Sequence, residues 1–320
     1  MVDILLATYN GEKFVRKQID SILAQDFHDW VLYIRDDRST DSTRNILYQY
    51  QQRYPQKIRI IEDCLGNLGF CGNFKQLMRY STARYTMFCD QDDIWKKDKI
   101  TDELLYIQKF EAEDKHTPAL VFSDLEGIDE NDNQIFKSFI KKNKYEVEPI
   151  LFSKLLFRNV ITGCTIMINS PLRLCIMQMP DNVKSHDHWI ALVCLLHGGK
   201  IGYLNKPTVS YRQHSNNHIG DLSLTVKDKV RKLTSLSQYR TGRIKSTNYY
   251  RCLEQQIVLL KKIYIDQCSP EEKQILDKLS NIWHLPRYKR ITCLGKYHCF
   301  PHDIYLSIIM IMYYLFWGES

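Results

Sequence analysis

The segment "MFCDQDDIW", residues 87–95, sets Asp90, Asp92 and Asp93 within four positions, directly after an apolar run. Carboxylates this close repel one another and raise each other's pKa, so a strand that ends in them calls for a positive partner. Hard divalent cations such as Mg²⁺ or Mn²⁺ prefer oxygen ligands, and Mg²⁺ is typically held by one or two carboxylates together with substrate phosphates. A divalent cation carried with a nucleotide diphosphate is the chemistry this knot suggests. The alternative is a solvated turn in which Asp92 or Asp93 caps a helix beginning near Trp95.

Other reactive side chains gather at comparable places. Thr8, Tyr9 and Asn10 end the first apolar run, and Asp36 and Asp37 end the second. In "SHDHWIALVCLLHGG", Asp187 opens an apolar helical run, where free N–H groups and partial positive charge favour an ionised carboxylate. It is either a helix cap or a general base. His186 and His188 flank it, but residues two apart do not share a helix face. In "SYRQHSNN", Arg212 and His214 point the same way along an extended segment. They would reach a diphosphate or metal, unless Arg212 forms a surface salt bridge and His214 is satisfied locally. Cys293, His298, Cys299 and His302 in "CLGKYHCFPH" are conceivable zinc ligands, although their spacing matches no standard finger and plain thiols are the alternative.

The elements that must position these groups are legible. Short apolar runs at 3–10, 30–37, 57–63, 85–93, 119–129 and 160–169 read as strands. Segments 11–26, 41–53 and 71–82 carry apolar residues at helical spacing, among them Phe14, Ile19, Ile22 and Leu23. That alternation implies βαβ units with right-handed crossovers and a largely parallel sheet. Open α/β sheets bind ligands beyond the carboxyl ends of their strands, so the loops after the first, second and fourth runs are expected to face one crevice. At 320 residues, 44% hydrophobic and 25% charged, the chain has ordinary globular composition and can bury a large core.

The net charge of +7 is localised. Residues 221–320 carry 16 Lys and Arg against 9 Asp and Glu, whereas the first 220 carry 28 of each. The boundary is placed at 215–222, giving an α/β domain over 1–220 and a basic helical region over 221–320. Residues 222–264 read as basic helix, and Ser269 with Pro270 and the acids behind it start another. Residues 304–317 are almost wholly apolar but too short to span a bilayer core, which needs about 20 residues. No basic leader precedes the first strand, and ten scattered cysteines without a C-x-x-C pair are expected in a reducing cytosol.

The runs "ATYNGEKFVRKQIDSILAQ", "IRDDRSTDSTRNI", "GNLGFCGNF", "FCDQDDIWKKDKI", "SHDHWIAL" and "YRQHSNN" together resemble the inverting glycosyltransferases of family 2, which have the GT-A fold, a Rossmann-like α/β architecture. "DQDDIW" with "HDHW" and "YRQH" is most similar to the bacterial rhamnosyltransferase branch. The resemblance implies that Thr8, Tyr9 and Asn10 line a nucleotide pocket and that Asp36 or Asp37 accepts from a pyrimidine N–H. It places the metal on Asp92 with Asp90 and His214, Asp90 also serving the ribose or a metal-bound water. Asp93 caps or faces the sugar, Arg212 reaches the diphosphate, and Asp187 is the general base. Arg38 stands where the family usually has glycine, which implies either a changed turn or a task facing phosphate. His188 would contact the acceptor, while Trp189 and Asn73 read as structural.

The expected function is metal-dependent, inverting transfer of a sugar, L-rhamnose from dTDP-rhamnose, to a lipid-linked bacterial surface polysaccharide. A transferase using UDP-hexose or UDP-N-acetylhexosamine, a nucleotidyltransferase and a non-catalytic sugar-nucleotide-binding module are the alternatives. The basic, aromatic tail suits the cytoplasmic face of a membrane or a homodimer contact. It contains no recognisable nucleic-acid module.

Overall fold

The first four apolar runs fold as β1 (Val2–Thr8), β2 (Trp30–Asp36), β3 (Ile58–Ile60) and β4 (Tyr85–Cys89). The amphipathic intervals between them fold as α1 (Val15–Leu23), α2 (Thr43–Arg53) and α3 (Gly69–Met78). These four strands lie in the order β3-β2-β1-β4 and are all parallel. β1 and β4 are buried along almost their whole length, as strands covered on both faces must be. The computed structural model describes residues 1–214, 236–301 and 303–318, with backbone only for 236–240. The expected boundary at 215–222, the first part of the basic stretch at 222–235 and His302 lie outside the described residues.

The other half of the sheet is mixed. β8 (Ile166–Asn169) runs antiparallel between β4 and β6 (Ala119–Ile128), β9 (Lys200–Arg212) pairs parallel with β6, and β5 (Ile94–Trp95) closes the edge antiparallel to β9. β7 (Gln134–Phe136) pairs with β6 off this path. β9 was not expected, because "KIGYLNKPTVSYR" carries Lys, Asn and Pro. Proline cannot donate to a ladder and is confined to edges and bulges. The β6–β9 register slips where Asp124 faces Pro207, so an irregularity absorbs the missing donor.

β5 also moves the next helix. α4 (Lys99–Glu111) starts four residues beyond the expected point, with Asp98 at its cap position. Neither Asp92 nor Asp93 caps it. With Thr8 level with Asp36 and Leu6 level with Cys89, the loops after β1, β2 and β4 leave the sheet on one side. α8 (His186–Leu196) has Ser185 as N-cap and Asp187 in its first turn, and its apolar residues, Trp189 included, are buried.

The chain divides into two compact units, one of residues 1–148 and 160–216, the other of 149–159 and 217–320. The sheet and the candidate nucleotide, metal and catalytic residues from Thr8 to His214 belong to the first, while Cys293, His298 and Cys299 belong to the second. In the second, helix Phe152–Phe157 joins the carboxyl-terminal helices, its "LFSKLLF" run requiring apolar cover. Phe157 meets Tyr314 edge-on at 6.4 Å, and its carbonyl accepts from the Tyr249 hydroxyl at 3.1 Å. Helix Pro270–Ser280 opens with a capping box between Ser269 and Glu272. Helix Ile304–Met312 runs into the wide turn Tyr313–Trp317. Its inner residues Met310, Tyr313, Tyr314 and Trp317 are buried, and Tyr313 stacks on Tyr250 at 5.0 Å. Ile304, Ile308 and Phe316 point outward, 76%, 48% and 58% exposed. No helix among the described residues is long and apolar enough to cross a membrane.

Candidate active site

The carboxylate loop is fastened on two sides. Gln91 pairs with the backbone of Tyr9, its Oε1 accepting from Tyr9 N at 2.8 Å and its Nε2 donating to Tyr9 O at 2.9 Å. This is a strand-like bridge made by a side chain. Gly11 must stay bare for it, since a Cβ there would fall 2.2 Å from Gln91 Oε1. Nothing in the sequence pattern singled out Gln91, whose only signal is its place inside D-x-D-D.

The second fastening follows from register. Ile94 faces Ser210 and Trp95 faces Val209, so two steps further along Arg212 comes opposite Asp92. Arg212 N donates to Asp93 Oδ1 at 3.1 Å, Nε to the Asp92 carbonyl at 2.8 Å and Nη1 to the Asp129 carbonyl at 2.8 Å. Nη1 also pairs with Asp132 at 2.6 Å. The side chain is 0% exposed and lies 4.6 Å from the centre of the Phe14 ring. Arg212 was expected at the diphosphate; in the structure its buried Nε and Nη1 clamp the loop. His214 emerges beside it, with Nε2 2.7 Å from Asp92 Oδ2 and its ring stacked on Phe14 at 5.5 Å.

The electrostatics of the loop are unbalanced. Asp90 is partly exposed, and its carboxylate accepts no hydrogen bond among the described residues, although its carbonyl accepts from the Cys89 thiol at 3.3 Å. Burial, then the charges of Asp92 and Asp187, push its carboxyl up to about 7. Asp93 is fully buried and raised well above the ordinary carboxylate range by the same causes, burial first and then Asp92 and Asp90. Its Oδ2 meets no N–H or O–H donor, only the Cys164 thiol lying near enough to help. Asp93 therefore neither caps a helix nor faces a sugar, as had been expected; it lies beneath the loop. Carboxylate oxygens from Asp90 and Asp92 and the imidazole nitrogen of His214 are donors that suit a hard divalent cation, but the ligand atoms that lie within 4.8 Å of one another among the described residues are those of Asp90, Asp93 and Cys164.

Asp187 reaches the same crevice from α8. Its charge is one of the causes that raise Asp90, and its Cβ lies 3.7 Å from where a side chain on Gly163 would begin. The next residue, Cys164, supplies one of three ligand atoms shared with Asp90 and Asp93 within 4.8 Å of one another. Asp187 is partly exposed, and its Oδ1 accepts from His188 N at 2.7 Å. His186 is buried between Phe74, at 4.2 Å, and Phe88, at 5.4 Å, and burial pushes its pKa down. His188 is fully buried, so it does not meet an acceptor as expected.

The β1 and β2 ends form a tighter knot than the sequence suggested. Thr8 is buried, and its hydroxyl donates to Asp36 Oδ1 at 3.0 Å. Asp36 also accepts from Ser39 N at 2.9 Å. Asp37 is buried and accepts from Arg35 Nη1 at 2.7 Å and from the N–H groups of Leu68 and Gly69, each at 2.8 Å. It is the counter-ion of a buried arginine and an anchor for the start of α3, which takes both its oxygens away from a base. Asn73 joins this network, accepting from Arg35 at 3.3 Å. Tyr9, half exposed, and Asn10, whose Oδ1 accepts from Thr40 N at 2.8 Å, sit at the rim.

Arg38 adopts a backbone conformation that favours glycine. Its φ is 71°, in the left-handed region, and its Nε donates to the Leu65 carbonyl at 3.1 Å. With Asp36, Arg44, Tyr48 and Asp63 it lines a cavity of about 240 Å³.

Comparison with known proteins accords with this geometry. Over 239 residues the chain is 29% identical to dTDP-rhamnosyl transferase RfbG of Shigella flexneri, covering 71% of this chain and 78% of that protein. Its fold is similar to residues 1–349 of S. aureus TarS in complex with UDP-GlcNAc (TM-score 0.56, 17% identity, 100% of this chain and 90% of that one). It is similar again to the mannosyltransferase PcManGT of Pyrobaculum calidifontis, solved with GDP-Man and Mn²⁺ (TM-score 0.55, 16% identity, 99% and 85%). Residues 3–169 match the model of glycosyl transferase family 2: the chain belongs to that family and is a glycosyltransferase.

Proposed function

We propose that the protein transfers L-rhamnose from dTDP-rhamnose to a lipid-linked bacterial surface glycan with inversion. The observation that carries the mechanism is that Asp187, from the start of α8, lies with its Cβ 3.7 Å from the Cβ position of Gly163, whose neighbour Cys164 has its sulfur within 4.8 Å of a carboxylate oxygen of Asp90, from the end of β4. A sugar hydroxyl is a poor nucleophile until a base takes its proton, an effect worth typically 10²–10⁴-fold. Asp187 is that base. Asp92, Asp90 and His214 would hold a Mg²⁺ or Mn²⁺ ion, which when bound offsets the charge developing on the departing diphosphate. Gln91 and Arg212 hold the loop that carries those ligands. Tyr9 and Asn10 offer an exposed ring and polar edge to the nucleotide. Asp36, the less buried of the β2-end pair, remains near it, while Asp37 and Thr8 support it from behind.

Rhamnose as donor rests on the likeness to RfbG. The test is a panel of nucleotide sugars assayed for divalent-dependent release of nucleoside diphosphate. Turnover of dTDP-rhamnose supports the assignment, whereas turnover of a UDP-linked hexose or N-acetylhexosamine alone replaces the donor and keeps the mechanism.

The second unit's outward face, Ile304, Ile308 and Phe316, is the proposed contact with the cytoplasmic surface of an anionic membrane, where a lipid-linked acceptor is held. Apolar side chains beside basic helices suit that surface. A homodimer contact through the same face is the outcome that would displace this reading.

A further inference from the structure

We propose that Asp90, Asp93 and Cys164 form a second cation site beneath the carboxylate loop, one that takes a thiophilic divalent cation such as Zn²⁺ or Cd²⁺ and, when filled, blocks the donor site. One ligand atom from each residue lies within 4.8 Å of the others. Zinc–oxygen bonds of about 2.0–2.2 Å and a zinc–sulfur bond of about 2.3 Å span ligand pairs roughly 3.3–3.7 Å apart in a tetrahedron, so a closure of about 1.5 Å is the most the site needs.

Two further observations separate this from an ordinary acidic cluster. Asp93 has no exposed surface, yet its Oδ2 lacks any N–H or O–H donor and is turned toward the thiol. Cys164 is held in place by the tight turn Gly163–Thr165, in which Thr165 N and Oγ1 both donate to the Thr162 carbonyl, at 2.9 and 2.7 Å. Gly163 allows the turn to press against the buried His186 ring, since a Cβ would lie 2.8 Å from Nε2.

Sulfur decides which cation fits. Mg²⁺ and Mn²⁺ favour carboxylate, carbonyl and water oxygens, whereas thiolate selects zinc-like ions. Binding deprotonates the thiol, its proton leaving to solvent, and the ion then faces two carboxylates and a thiolate. Asp90 serves both sites, so the two occupancies compete. That competition rests on the proposed donor site; the existence of the thiolate site does not.

The test titrates the metal-free, full-length protein with Cd²⁺ alone and follows sulfur-to-cadmium charge-transfer absorption in wild type, Cys164→Ser and Asp93→Asn. Wild type is expected to exceed Cys164→Ser by about one thiolate equivalent, and Asp93→Asn to need at least ~10-fold more Cd²⁺ for the same absorption. In the Mn²⁺-supported reaction, the inhibitory Zn²⁺ concentration should rise about 10-fold in Cys164→Ser. Identical cadmium spectra in wild type and Cys164→Ser overturn the site. A lost band with unchanged Zn²⁺ inhibition overturns the blocking. Absence of turnover with every nucleotide sugar would count against the proposed function and leave the cadmium titration to decide the site.

Discussion

His214 Nε2 lies 2.7 Å from Asp92 Oδ2, although 122 positions of sequence separate the two residues. The β5–β9 pairing makes them neighbours, and the Phe14 ring supports the imidazole. A nitrogen so placed either orients the carboxylate or joins it on a cation. Replacing His214 by Ala should raise the half-saturating Mn²⁺ concentration about 10–100-fold, with the donor KM measured at saturating Mn²⁺ much less affected. An unchanged Mn²⁺ requirement would remove His214 from the metal site.

Arg38 carries backbone strain. An L-residue in the left-handed region costs roughly 1–2 kcal/mol, while glycine there costs about 0.5–1 kcal/mol of chain entropy. Arg38→Gly should therefore stabilise the protein by about 0.5–1 kcal/mol in denaturant titration, the exposed bond to Leu65 being worth little. Loss of stability on that substitution would show that Arg38 contributes more than its one carbonyl contact.

The carboxylate loop should make stability depend on pH. Burial first, then Asp92 and Asp187, push Asp90 up to about 7, and burial, then Asp92 and Asp90, raise Asp93 well above the ordinary carboxylate range. A carboxyl raised above its unfolded value of about 4 holds its proton more tightly when folded. Its contribution to stability is intact below that value and lost as pH rises through the folded one. With divalent cations chelated, the melting temperature should fall between pH 5 and pH 8, and Mn²⁺ should restore most of the loss at the upper end. Asp90→Asn should flatten the profile; a wild-type profile already flat would contradict the charge imbalance.

If the outward face of residues 304–317 meets lipid, Ile308→Asp with Phe316→Asp should abolish sedimentation with phosphatidylglycerol vesicles and leave nucleoside diphosphate release unchanged. Binding that persists in this variant, or a change from dimer to monomer instead, would move the contact elsewhere.

Much of the catalytic unit is readable in the sequence because its signals are local. Apolar runs alternate with helical periodicity from residue 3 to 93, and the polar residues that end each run fall beyond the carboxyl edge of one sheet. What could not be read depends on partners distant in sequence. β9 hides behind Lys, Asn and Pro207, and becomes a strand only because β6 is there to pair with it and an irregularity accommodates the proline. Arg212 and Asp37 look like ligands for phosphate and base. Both are buried, one by Asp92, Asp129 and Asp132, the other by Arg35 and the N–H groups of Leu68 and Gly69. Gln91 looks like a spacer and holds two loops together. Helix Phe152–Phe157 lies early in the chain, but its apolar face belongs with the carboxyl-terminal helices.

The role of Asp187 is tested most directly by comparing Asp187→Asn with wild type in two assays on one preparation: glycosyl transfer, and donor affinity by calorimetry with Mn²⁺ present. The expected result is a loss of at least ~10²-fold in kcat with donor Kd changed only slightly. Transfer at the wild-type rate by Asp187→Asn would contradict it.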